Sequence, residues 1–114
     1  MKKTSKSIVG ILLCVGLGVV FSVAVSLAAD AKAGEAIYTK ACKNCHGADG
    51  TPNEKIAKMM KVEMLDLKSP EVQKLSAADI AKIVADGKGK MKGITSVKGA
   101  SVDDVAAYVK SMKK

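Results

Sequence analysis

The sequence predicts an all-α fold of four to five short helices, and three observations carry that expectation. Each candidate helix opens at a residue able to cap it: Asp30, Asn53, Ser69, Ser76 or Ser101. Apolar residues then recur at three- and four-residue spacing, the helical period. Turns rich in glycine, proline or aspartate separate these segments, and no stretch alternates apolar and polar residues long enough to read as a strand. There is no internal repeat and no low-complexity segment.

In chain order, residues 1–28 are read apart from the domain. Met1–Ser7 carries three lysines and no acid, Ile8–Val25 has no charge, and Ser26-Leu27-Ala28 offers small residues at the two positions a signal peptidase reads. This is the pattern of a cleaved secretory signal, with the cut after Ala28. Cys14 lies within the apolar run and is read as one of its fillers. If the segment stayed on, its length would be just enough to tether the protein to a membrane. The expected mature domain is 29–114.

Asp30 caps a helix over Ala31–Ala41, with Ala33, Ile37 and Ala41 on one face. A turn follows over Gly47–Asn53. Asn53 caps a second helix, Glu54–Met64, which carries Ile56, Ala57, Met60 and Met64 as a stripe. Ser69-Pro70-Glu71 starts a short helix ending near Leu75, because proline suits the first helical position. Ser76-Ala77-Ala78-Asp79 resembles a capping box and opens a helix that Gly87 ends. Lys88–Gly99, with three glycines and no helical stripe, is expected to be loop. Ser101-Val102-Asp103-Asp104 starts the last helix, periodic through Met112.

Removal of the signal takes three of the nineteen lysines and none of the eleven acids, so 16 − 11 leaves a net charge of +5. All the cations are lysines. Phe21 leaves with the signal, and Tyr38 and Tyr108 are then the whole aromatic inventory. A domain this small and this poor in aromatics is marginal on burial alone, and such domains often lean on a metal, a disulfide or a cofactor.

The stretch Cys42-Lys43-Asn44-Cys45-His46 suggests which. It holds both cysteines of the mature chain and the only histidine. Structural zinc wants four ligands, and there is no second cluster. A thioredoxin-like redox pair would need a βαβ context. A plain disulfide leaves His46 without a role. Covalent attachment of one haem uses all three: Cys42 and Cys45 as thioethers and His46 as an axial ligand of the iron.

With no second histidine, the other axial ligand is sought among the methionines. Met60, Met64 and Met112 lie on apolar stripes, where a methionine is usually packing, and Met59 lies in the same helix without a loop around it. Met91 sits in the polar, glycine-rich loop Gly87-Lys88-Gly89-Lys90-Met91-Lys92-Gly93, where packing gives an apolar side chain no reason to be. Met91 is the expected distal ligand.

At this point the sequence resembles the small monohaem class I c-type cytochromes of bacterial periplasms. The resemblance covers essentially the whole mature chain and rests on Gly34-x-x-x-Tyr38, "CKNCHGADG", "GKGKM" and "VAAYVKSM". It implies a cytochrome c-like fold in which the first and last helices cross near the haem, so that Gly34 and Tyr38 meet Tyr108 and its neighbours. Two features depart from the family pattern. Lys92 stands where proline usually follows the ligand methionine. The proline whose carbonyl orients the proximal histidine has only Pro52 as a nearby counterpart.

A six-coordinate haem has no open site for a substrate, so the expected function is one-electron transfer by a periplasmic, non-enzymatic, monomeric carrier. A weak or vacant sixth site would instead make a binder of small ligands. Lys88, Lys90 and Lys92, with Lys40 and Lys43 beside the first cysteine, form a candidate basic rim suited to steering transient, acidic redox-partner proteins. An exported chain without an aromatic platform or a basic helix is not expected to bind nucleic acid.

Overall fold

The computed structural model describes Gly18 and residues 28–112. The expected secretory signal therefore lies, apart from Gly18 and Ala28, outside the described residues.

The first helix, α1 (Ala31–Ala41), begins where expected. The Asp30 carboxylate accepts from the backbone N–H groups of Lys32 and Ala33, satisfying donors that the first turn leaves free. Cys42 then interrupts the helix, and a single turn, α2 (Lys43–His46), follows it. Asn53 caps α3 (Glu54–Met60) through Lys55 and Ile56.

The second helix is shorter than its apolar stripe predicts, ending at Met60 rather than Met64. Lys61 turns left-handed at φ 53° and its N–H returns to the carbonyls of Ala57 and Lys58. This is a helix ending of the kind glycine usually provides, here made by a lysine. Met64 consequently lies in the irregular segment beyond it.

The short helix α4 (Pro70–Gln73) and α5 (Ala77–Asp86) match the expected caps. Ser69 accepts from Val72, and Ser76 and Asp79 form a reciprocal capping box. The expected loop after Gly87 contains a small antiparallel hairpin instead, β1 (Gly87–Lys88) and β2 (Met91–Lys92), pairing Gly87 with Lys92 and Lys88 with Met91. Its two-residue turn places Gly89 first, at φ 58°, a region open to glycine at little cost. Strands of two residues are too short to leave an alternating pattern in the sequence. The last helix, α6 (Ala100–Ser111), starts two residues earlier than a cap at Ser101 would dictate, with Gly99 at its cap and no side-chain cap bond.

Helix α1 packs against α6, and so does α5. The crossing of α1 and α6 is close enough that a Cβ on Gly34 would overlap the Asp104 carbonyl oxygen. One turn along, Tyr38 and Tyr108 meet edge to face, with ring centroids 5.2 Å apart and planes at 61°, a favoured arrangement of two aromatic quadrupoles. The contact of Gly34 and Tyr38 with Tyr108 and its neighbours is therefore present. The buried core is otherwise aliphatic and valine-rich: Val72, Ile80, Val84, Val97, Val102, Val105, Ala106 and Val109, with Cys42.

Candidate functional site

A core this thin does not close on itself. Between the helices lies a cavity of about 590 Å³, within the range of small-molecule and cofactor sites. Its walls come from every part of the fold: Tyr38, Cys42, Cys45 and His46 from the first turns, Val72, Ile80 and Val84 from the middle, Val105 and Val109 from α6, and Met91 from the hairpin. Only Glu63, Lys88 and Lys90 bring full charges to a largely apolar lining.

Local structure presents the three Cys-x-x-Cys-His side chains to this space. The backbone N–H groups of Cys45 and His46 both return to the Cys42 carbonyl, at 3.2 and 3.0 Å, winding the segment into one turn. Two outside groups hold that turn. Tyr38, 1% exposed, donates its hydroxyl to the Gly47 carbonyl at 2.7 Å and the His46 carbonyl at 3.3 Å. Asn53 donates its side-chain amide to the Asn44 carbonyl at 3.0 Å and its backbone N–H to the Cys45 carbonyl at 2.9 Å. Sequence reasoning read Asn53 only as a helix cap and Tyr38 only as bulk. Their second role depends on contacts eight or nine residues apart that no periodicity records.

Cys42 and Cys45 are free thiols here, the first buried and the second half-buried. Burial, aided by the neighbouring Cys45, pushes the Cys42 thiol up to about 11. Burial also lowers the pKa of His46, favouring the neutral imidazole that a metal requires. The Nδ1 atom of His46 is buried without a hydrogen-bond partner among the described residues, so the Pro52 carbonyl does not take up the orienting role considered for it.

Three methionines line the cavity: Met60, Met64 and Met91. Met59 is 70% exposed, and the Met112 sulfur lies against Gly50. Of the five lysines of the expected rim, all are exposed, and Lys88 and Lys90 reach the cavity.

The donor set fits a covalently tethered haem. Among the described residues no group of three or more His, Cys, Asp or Glu side chains gathers to hold a metal ion by itself. Haem asks for no such convergence: its two thioether sites lie at the ring edge and its iron at the centre, so two thiols and an imidazole serve three separate points. Two free thiols and a largely buried imidazole that line one apolar cavity suit such a group.

The family model Cytochrome_CBB3, described as cytochrome C oxidase, cbb3-type, subunit III, matches residues 29–109. Among solved structures, the chain is similar to the KustC0563 c-type cytochrome at 25% sequence identity and a TM-score of 0.61, covering 71% of this chain and 98% of that one. No curated protein matches it.

Proposed function

The chain belongs to the Cytochrome_CBB3 family of c-type cytochromes, which act in electron transfer through a covalently bound haem c, and from that membership we propose that this protein is a diffusible one-electron carrier of the periplasm. Cys42 and Cys45 would hold the haem through thioether bonds, and His46 and Met91 would ligate its iron. The haem, when bound, supplies an iron that alternates between ferrous and ferric. The chain's own residues set the conditions for that exchange. The apolar walls exclude water, Tyr38 and Asn53 fix the turn that carries His46, and the hairpin carries Met91.

One observation carries this reading. The Cys-x-x-Cys-His turn and a methionine 45 residues further on line the same apolar cavity. Met91 is favoured over Met60 and Met64 because its backbone is paired in the hairpin, Lys88 opposite Met91, just beyond a glycine turn. A thioether ligand favours the ferrous state and a high potential. With His46 and Met91 both committed to the iron, the haem would offer no site for a substrate, which suits a carrier rather than an enzyme. The exposed lysines about the cavity suit acidic partners met transiently, in which charge speeds encounter more than it strengthens the complex.

Intact mass tests the whole assignment. Expressed in a host that matures c-type haem, the protein is expected to have the mass of residues 29–114 plus one haem. A processed mass without haem would overturn the carrier reading. A full-length mass with haem would keep the chemistry and tether the protein to the membrane. Failure of the reduced protein to bind CO at neutral pH is the expected sign of a filled sixth position; rapid binding would favour a ligand-binding haem protein.

A further inference from the structure

The hairpin that carries Met91 is anchored at two places of different strength. At its base, the Ile94 N–H donates to the Val84 carbonyl at 2.8 Å, and Gly93 lies so near α5 that a Cβ there would overlap the Ala85 carbonyl oxygen. At its tip, Lys90 reaches over to α3, and its Nζ donates to the Met60 carbonyl at 2.9 Å. The two residues are 30 positions apart in sequence, and both line the cavity that Met91 enters.

The acceptor is well chosen physically. Met60 is the last residue of α3, and the final carbonyls of a helix lack intrahelical partners and carry the negative end of its dipole. An ammonium group there is a favourable, charge-assisted donor. The turn is built to make the reach: a Cβ on Gly89 would meet nothing within 4 Å, so the glycine serves the φ of 58° rather than a tight fit. Because Lys88 is paired with Met91, the tip and the methionine belong to one small paired unit. Freeing the tip therefore loosens Met91 itself.

We propose that Lys90 is a positioning residue for Met91, tethering the hairpin tip to the end of α3 and so holding the methionine in the cavity. This rests on the reading of Met91 as the distal ligand.

The test is displacement of the methionine from the ferric holoprotein by added imidazole at neutral pH, followed by loss of the near-infrared thioether band. Displacement requires the hairpin to open, so its apparent constant reports the opening equilibrium. Loss of one hydrogen bond in Lys90→Gln is expected to raise apparent imidazole affinity about fivefold. Lys90→Arg, which retains a charged donor, should stay near wild type. Lys92→Gln removes the same charge from the same hairpin without touching the tether, and should change the affinity much less than Lys90→Gln does. Equal effects of Lys90→Gln and Lys92→Gln would overturn the tether and leave only a charge effect. Retention of the thioether band in Met91→Ala would instead overturn the assignment of Met91, and the proposal with it.

Discussion

The Tyr38 hydroxyl donates to the Gly47 carbonyl at 2.7 Å, and with the longer bond to the His46 carbonyl it holds the far end of the Cys-x-x-Cys-His turn. Burial pushes the Tyr38 hydroxyl's pKa well up, so it remains a donor at any working pH. Tyr38→Phe keeps the ring against Tyr108 and strands two carbonyls. The expected loss is about 1–2 kcal/mol in denaturant unfolding of the holoprotein. A stability unchanged within error would mean that water replaces the hydroxyl without cost.

The α1–α6 crossing makes a sharper prediction. In Gly34→Ala the new methyl meets main-chain atoms of Asp104, which cannot rotate away. The helices must separate, and the core between them loosens. We expect a loss of about 3 kcal/mol or more, at the upper end of overpacking effects. A melting temperature near wild type would show that the crossing can widen freely.

Replacing the three cavity methionines one at a time separates ligand from lining. Met91→Ala is expected to abolish the thioether band, admit CO to the reduced protein and lower the reduction potential by on the order of 100 mV, since thioether ligation raises it. Met60→Ala and Met64→Ala should retain the band and lose about 2–3 kcal/mol of stability as truncated packing residues. Loss of the band in Met64→Ala alone would move the distal ligand to the segment after α3.

Asp49 gives a prediction in pH. Its carboxylate accepts from the Thr51 backbone N–H at 3.1 Å, from Lys68 Nζ at 3.0 Å and from the Thr51 hydroxyl at 3.1 Å, and these bonds, the Thr51 N–H first, hold its pKa down to about 2. A carboxylate depressed in the folded state stabilises it above the unfolded pKa, and that stability is lost as pH falls through the folded value. The wild-type protein should therefore lose stability more steeply than Asp49→Asn between about pH 4 and pH 2. Parallel acid-unfolding curves would remove Asp49 from the account.

Much of this molecule is legible in its sequence because local chemistry dictates it. The caps at Asp30, Asn53, Ser69 and Ser76 are side-chain to backbone bonds spanning two or three residues, and all four form. The meeting of Gly34 and Tyr38 with α6 was implied by the family resemblance rather than by the residues themselves. What escaped was set by tertiary contact. Nothing local ends α3 at Met60, where a lysine adopts the conformation glycine usually takes. The hairpin is held by its packing on α5 rather than by strand propensity. Likewise, the bonds from Tyr38, Asn53 and Lys90 to distant carbonyls have no sequence signature, although they organise the site.

The crossing of α1 and α6 also implies an order of assembly. The Asp30 backbone N–H donates to the Asp104 carboxylate at 2.7 Å, joining positions 74 residues apart. Contacts so distant along the chain repay their loop-closure entropy late. The Cys-x-x-Cys-His turn, by contrast, needs only its immediate neighbours. Since α6 supplies Val105 and Val109 to the cavity wall, the chamber stays open on that side until the last helix docks. Docking of α6 would therefore be the step that completes the chamber around the Cys-x-x-Cys-His turn.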